Sequence, residues 1–301
     1  MSNTAGFVTV ATGSEKYYKL AYNLCLSYKK RGKGKYPFAL ICDKKTEYAD
    51  IFDEVIIVQE VRKSTIDKLL MRYSPYEKSI FIETDILILD SIDELWKIFE
   101  TCDDVTAFGC KLPLNSQKGW FTYEGSGKYK SQIHYLLSMN GGIYYFKNSG
   151  KAENVFEKAL EIVDEYSMYD FKYFEKPADE PVMAMSMVLN ECAPCDVAYD
   201  MIILPACKDK VTTDYRGNVY EGNNLSKAKL IHFSSPRTAL FLYNYLNYIN
   251  HSDKKSKINY MLFKLKYMPH NLKFAVKHNV GAILRGIGLD SFVERLKKFI
   301  R

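Results

Sequence analysis

The triplet Glu83-Thr84-Asp85 ends the apolar run Ser79-Ile80-Phe81-Ile82, and two carboxylates one residue apart at a strand end suit a hard divalent cation. Mg²⁺ or Mn²⁺ takes oxygens from one or two such carboxylates and fills its shell with phosphate oxygens and water. An acidic pair at this spacing also occurs as a plain solvated strand end, so the chemistry depends on what else converges there. His232, between Ile231 and Phe233, reads either as a hydrogen-bonded strand residue or as a metal ligand. Lys68 reads by itself as an exposed helix residue. Asn140, ahead of two glycines, reads as capping a turn, and Asp179-Glu180 opens a Met-rich segment.

These residues need a scaffold, and the first third of the chain supplies an alternating one. Phe7–Ala11, Phe38–Cys42 and Val55–Val58 read as strands, with helical spacing over Lys16–Lys30. That rhythm predicts a mostly parallel sheet with helices on its faces. Ile66–Tyr73 reads as a helix stopped by Ser74-Pro75, and Ser79–Ile82 as a strand whose carboxyl end carries the acids, where open α/β sheets bind ligands. A helix starts at Ser91-Ile92-Asp93-Glu94, a strand covers Val105–Gly109, and residues 112–133, polar and glycine-rich, read as a mobile loop over a substrate. Asn140-Gly141-Gly142 leads into the strand Ile143–Phe146, residues 151–166 form an amphipathic helix, and Pro181–Leu189 a buried helix begun near Asp179.

With 301 residues, 47% of them hydrophobic, the chain can bury a large core without disulfide staples. Seven cysteines, mostly in apolar runs, indicate reduced thiols. Cys192-Ala-Pro-Cys195 has no second pair with which to close a zinc site and reads as structural. No leader-like segment and no apolar stretch of about 18 residues is present, so neither secretion nor membrane spanning is expected. The net charge of +6 is uneven: residues 251–301 carry twelve Lys/Arg against Asp253, Asp290 and Glu294. The composition sets one boundary near residue 250, giving a catalytic domain over 1–250 and a basic helical extension over 251–301.

The segment Tyr76-Glu77-Lys78-Ser79-Ile80-Phe81-Ile82-Glu83-Thr84-Asp85-Ile86-Leu87-Ile88-Leu89-Asp90, preceded by Lys68-Leu69-Leu70, resembles the DxD region of retaining glycosyltransferases related to glycogenin and to bacterial lipopolysaccharide galactosyl- and glucosyltransferases, glycosyltransferase family 8. Phe7–Thr12 with Tyr17, Asn140-Gly141-Gly142-Ile143, Asp179-Glu180 and Ile231-His232-Phe233 resemble the other family segments in the same order, over about residues 7–250. The resemblance implies a GT-A fold, a mixed, mostly parallel central sheet flanked by helices, here with a basic helical tail. It implies that Asp85, His232 and Glu83 bind Mn²⁺ or Mg²⁺. It also implies that Val10, Ala11, Thr12, Tyr17, Lys68, Thr84 and Gly142 contact a UDP-sugar, and that Asn140, Asp179 and Glu180 hold the transferred hexose. The implied donor is UDP-glucose or UDP-galactose, and the acceptor a glycan, a lipid-linked molecule or a protein.

The chain departs from the family pattern at three places. Glu83 replaces the usual Asp, Glu180 replaces Gln, and His232-Phe-Ser-Ser-Pro-Arg237 lacks the usual Gly and Lys, leaving Arg237 as a candidate cation for the β-phosphate. Retention is compatible with a carboxylate nucleophile or with front-face attack, and the latter is favoured, with Glu180 stabilising positive charge on the sugar. The tail Lys254–Arg301 mixes aromatic and aliphatic residues with its cations, reading either as helices packed on the domain or as a segment on an anionic membrane. A cytoplasmic protein, peripheral on the inner membrane face in the second case, is expected. Nucleic-acid binding is disfavoured because no nucleic-acid motif accompanies the charge. Ala11-Thr12-Gly13-Ser14 lacks the Arg-containing glycine loop of a sugar-nucleotide pyrophosphorylase, and the phosphate-loop and dinucleotide fingerprints are missing. The remaining alternative is a non-catalytic sugar- or membrane-binding module.

Overall fold

The computed structural model describes residues 4–286 except 172–173, 198–201 and 208–209. Contacts divide the chain into two compact units, Met1–Pro205 with Lys227–His232, and Ala206–Ser226 with Phe233–Arg301.

The first unit is built on strands β1 (Ala5–Ala11), β2 (Phe38–Cys42), β3 (Glu54–Ile57), β4 (Lys78–Ile82), β5 (Ile86–Ile88), β6 (Val105–Leu112), β7 (Leu136–Lys147) and β8 (Ile203–Pro205). Six of them form one sheet in the order β3-β2-β1-β4-β7-β6. Pairings β1/β2, β2/β3 and β1/β4 are parallel, whereas β7 is antiparallel to both β4 and β6 and alone runs against the rest. The expected mixed, mostly parallel α/β sheet is what forms. The chain passes from β1 outward to β2 and β3, then returns across to β4 on the other side of β1. The carboxyl ends of β1 and β4 therefore flank the point where strand order reverses, and a crevice opens at such a point.

Both sheet faces are covered, which explains why the central strands are apolar throughout rather than alternating. Phe7, Phe38, Leu40, Ile80 and Ile82 face helices α1 (Glu15–Arg31) and α2 (Glu94–Glu100). Val8, Val10, Ala39, Ile41 and Phe81 face α3 (Gly150–Asp164), α4 (Asp179–Leu189) and the 3-10 segment Thr65–Tyr73. Helix α1 forms because Ser14 caps it, accepting from Lys16 N, and Glu15 and Lys29-Lys30-Arg31 match the helix dipole at its two ends. Tyr18, Ala21, Leu24, Cys25 and Tyr28 supply its buried stripe.

The structure differs from the sequence reading at four places. Residues 65–73 wind as a 3-10 segment, ending as expected where Ser74 turns extended before Pro75. Asn140-Gly141-Gly142 lies inside the long strand β7 instead of ahead of it. Residues 112–133 are packed rather than forming a loose cover. Phe121, Tyr129 and Ile133 are buried, Trp120 Nε1 donates to Met139 O at 2.9 Å, and Glu124–Gln132 forms 3-10 turns. The fourth difference is the boundary near 250, because residues on both sides of that position share one core in the second unit.

That second unit contains β9 (Val211–Thr213), β10 (Val219–Glu221) and β11 (Asn224–Leu225) as a three-stranded sheet, with helices α5 (Phe241–Ser252) and α6 (Lys257–Gly286). Phe241, Tyr245 and Ile249 of α5 pack with Tyr260, Phe263 and Tyr267 of α6, so the sequence from 241 to 267 cannot be divided without opening this cluster. Tyr245 and Tyr260 donate their hydroxyls to the carbonyls of Tyr215 and Thr213 at 2.8 and 2.7 Å. The end of the basic tail, residues 287–301, lies outside the described residues.

Strand β12 (Leu230–His232) returns the chain to the first unit, pairing antiparallel with β5 and parallel with β8. Ser27 secures β5 to α1: its hydroxyl donates to Leu24 O at 2.7 Å and accepts from Ile88 N at 2.9 Å, fully buried. Ser27→Ala leaves that strand amide without a partner, and we expect a loss of about 1–3 kcal/mol of stability, readable as a lower midpoint in urea unfolding with an unchanged slope.

Candidate functional site

The site is assembled from strand ends. Register pairs Ile82 of β4 with Ile143 of β7, and Glu83 N donates to Gly142 O at 2.9 Å, which fixes the acids against the two glycines. Register also opposes His232 of β12 to Ile86 of β5, delivering an imidazole to acids 147 and 149 residues earlier in the chain. His232 Nε2 lies 3.2 Å from Asp85 Oδ1 and 3.3 Å from Glu83 Oε2. One ligand atom from each of Glu83, Asp85 and His232 falls within 4.8 Å of the others.

A second set adjoins the first. Lys68 Nζ bridges Glu83 Oε1 at 2.8 Å and Asp179 Oδ2 at 3.1 Å, and Glu180 accepts from Gly141 N at 2.8 Å. Asn140 Oδ1 accepts from Gly142 N at 2.9 Å, so its amide NH₂ is not engaged by that bond. The glycines are required by space. A Cβ on Gly141 would stand 2.6 Å from Glu180 Cγ, and one on Gly142 would stand 2.9 Å from Asn140 Oδ1 and 3.2 Å from His232 Cε1.

Four carboxylates share this volume with one ammonium and one imidazole, and the titration of each group reflects that shortage of positive charge. Burial opposes a charge on Lys68, yet Asp179 and Glu83 hold it well above its ordinary value. Burial also opposes a charge on Glu83, but Lys68 and His232 beside it bring it down to about 2. Asp179 moves the other way: burial pushes it up to about 7 against the pull of Lys68, with Glu83 and Glu180 adding repulsion. The two partners of the Lys68–Asp179 contact thus shift in ways a simple ion pair would not produce. The reason is that one lysine serves two carboxylates and Glu83 holds the shorter bond. Burial raises Glu180 as well, and burial disfavours the His232 imidazolium, which Asp85 and Glu83 nevertheless stabilise up to about 10.

A divalent cation fits this chemistry. Two carboxylates and an imidazole nitrogen are a donor set that Mn²⁺ accepts, and Asp85 Oδ1 is buried with the His232 imidazole 3.2 Å away.

The expected donor residues lie around the same strand ends. Val10, Ala11 and Thr12 are buried at the end of β1. Thr12 Oγ1 donates to Asp67 Oδ2 at 2.6 Å, one residue before Lys68. Thr84 is buried between the acids, and Tyr17 stands 43% exposed in the first turn of α1, with Lys16 Nζ 5.8 Å from its ring centre. Arg237, expected as a phosphate cation, belongs to the second unit, where its guanidinium lies 5.3 Å from the centre of the Phe274 ring.

Sequence reasoning missed Asp67, which accepts from Arg62 N, Lys63 N and Thr12 and so orders the turn before Lys68. It missed Asp43, which accepts from Gly13 N and the Tyr18 hydroxyl at the end of β1. It also missed Gly141 and Tyr144, whose buried hydroxyl lies 3.0 Å from where a Gly141 Cβ would be. The run Asn140-Gly-Gly-Ile-Tyr144, polar and small inside an otherwise apolar strand, was the available signal for the last two.

No protein-family model matches the sequence. No curated protein matches it. Among solved structures it is similar to the bifunctional glycosyltransferase WbbM in its apo form, at 12% identity and a TM-score of 0.51, covering 87% of this chain and 52% of that one. The chain thus spans about half the length of WbbM. It is also similar to the galactosyltransferase LgtC in complex with donor and acceptor sugar analogs (12% identity, TM-score 0.46, 77% and 87% coverage). A third similarity is to the glycosyltransferase GlyE of Streptococcus pneumoniae TIGR4 (9% identity, TM-score 0.42, 64% and 46% coverage). The fold is that of the GT-A glycosyltransferases.

Because the imidazole is protonated at neutral pH and a bound cation requires it neutral, Mn²⁺ binding should release close to one proton per ion at pH 7. Calorimetry in buffers of different ionisation enthalpy measures this directly. Affinity should climb by roughly tenfold per pH unit toward the His232 value, and His232→Ala should abolish both the proton release and that slope.

Proposed function

We propose that the chain is a retaining glycosyltransferase that transfers a hexose from UDP-glucose or UDP-galactose to a glycan, lipid-linked or protein acceptor. The observation carrying this reading is the convergence of Glu83, Asp85 and His232 at the carboxyl end of β4, beside the buried array of Lys68, Asp179 and Glu180. Similarity in fold to a protein described as a bifunctional glycosyltransferase supports the reaction class.

Asp85, His232 and Glu83 would hold a Mn²⁺ or Mg²⁺, which would supply positive charge for the diphosphate of the leaving UDP. The remaining work falls to side chains. The exposed ring of Tyr17 stacks on uracil, and Val10, Ala11 and Thr12 meet the base through backbone groups. Lys68, kept charged by Glu83 and Asp179, orients the donor and offsets charge around it. Asp179, near half-protonated at neutral pH, is able to donate to or accept from a sugar hydroxyl. Asn140, its oxygen taken by Gly142 N, presents its NH₂ as a donor. Glu180 is positioned by Gly141 N and turns a carboxylate toward the sugar, where it stabilises the positive charge of an oxocarbenium-like transition state. In front-face attack the acceptor hydroxyl loses its proton to the departing phosphate oxygen, so Glu180 acts through its field and not as a nucleophile.

UDP release from UDP-glucose, UDP-galactose and their N-acetyl forms, followed with and without Mn²⁺, tests the reading. Turnover is expected for at least one hexose donor, to require the ion, and to fall by roughly 100-fold or more in Asp85→Ala. No ion-dependent release from any of these donors would refute it. A separate variant addresses mechanism: Glu180→Gln should retain turnover within about tenfold, whereas loss by several orders of magnitude with donor binding intact would establish a covalent route.

A further inference from the structure

Helix α6 has two unlike faces. One packs Tyr260, Phe263 and Tyr267 with α5, and Asn271 Oδ1 accepts from Phe241 N at 3.1 Å. On the opposite side Ile258, Met261, Leu262, Leu265, Met268 and Leu272 are each between 57% and 72% exposed. Steps of three and four residues gather these six side chains into a stripe covering about a third of the helix circumference. The same helical step sets Lys257 and Lys264 along one border of the stripe and Lys266 and Lys273 along the other. No Asp or Glu occurs from 254 to 286.

A continuous apolar surface of this kind marks a contact, and its borders identify the partner. A lysine-edged stripe fits a lipid interface, where the aliphatic stems extend the apolar face and the ammonium groups reach acidic headgroups. A second copy docked through the same stripe would set lysine rows against lysine rows with no carboxylate on the helix to answer them. No described helix is long and apolar enough to cross a membrane, so the helix lies along the interface instead of spanning it. We propose that α6 binds the surface of an anionic membrane, its six apolar side chains entering at headgroup depth and its four bordering lysines engaging acidic lipids. This does not depend on the reaction assigned to the first unit, and its test reads binding alone.

The experiment is co-sedimentation of the full chain with vesicles of phosphatidylcholine, alone or with phosphatidylglycerol as about a third of the lipid. We expect binding at least roughly tenfold tighter to the anionic vesicles, weakening as salt rises. Leu262→Glu with Leu265→Glu should lower that binding by roughly tenfold or more, and replacing Lys257, Lys264, Lys266 and Lys273 with Gln should erase the preference for anionic lipid. Both altered chains change exposed side chains, and unaltered thermal melting checks that they fold. No vesicle binding, equal binding to both vesicle types, or binding that survives the Leu262/Leu265 double substitution would overturn the proposal. A reversible dimer in sedimentation velocity that this double substitution dissolves, without vesicle binding, would assign the stripe to a second copy and overturn it too.

Discussion

The pairing of Leu230–His232 with Ile86–Ile88 decides whether a site exists, because it brings an imidazole beside two carboxylates that sequence order keeps far away. Apolar burial holds that pairing in place. Ile86, Leu87, Ile88, Leu230 and Ile231 are all fully buried, so slipping the register by one residue would turn an apolar side chain toward the acids and remove His232 from them. Strand β5 is anchored to α1 by the Ser27 hydroxyl, and β12 is paired on its other side with β8. The core of the sheet thus supplies the free energy that keeps an unfavourable cluster of acids together.

That cluster is unfavourable because carboxylates outnumber cations in a space from which water is largely excluded. Lys68 serves both Glu83 and Asp179 and is held charged by them, while burial raises Asp179 to about 7, so that it is only about half ionised near neutrality. His232 also carries a proton, bridging Asp85 and Glu83. Such a site is short of positive charge; in the proposed function, an ion bearing a diphosphate would bring both the charge that the acids lack and an anion for Lys68 to meet. Apolar groups of similar volume would fill this space at lower electrostatic cost than these acids do.

The second unit shows a different balance. Its aromatic cluster joins α5 to α6 on one side, and hydroxyls of Tyr245 and Tyr260 tie both helices to carbonyls near the small sheet. This leaves the opposite side of α6 apolar and lysine-edged. The basic composition evident at the end of the sequence therefore has an orientation, since one face of the helix is already used and the charges border the other.

Much of the fold was legible in the chain itself. Short apolar runs alternating with a capped, dipole-matched helix specify a parallel sheet covered on both faces, and Glu83-Thr84-Asp85 after Ile82 places acids at a strand end without reference to anything distant. Lys68, Asn140, Asp179, Glu180 and His232 could be named from motifs that resemble a known family in the same order along the chain. Local sequence did not show that Asn140-Gly141-Gly142 lies within β7, because two glycines resemble a turn until a neighbouring strand requires close approach. It could not reveal Asp67 or Asp43 either, whose partners are backbone amides and hydroxyls brought near only by folding. Composition drew a boundary at 250 where side-chain packing draws none. Residue types and local periodicity fix which groups can do chemistry and which elements carry them. Register and packing between residues far apart fix which of those groups meet, because such contacts depend on loop closure and burial that no single segment encodes.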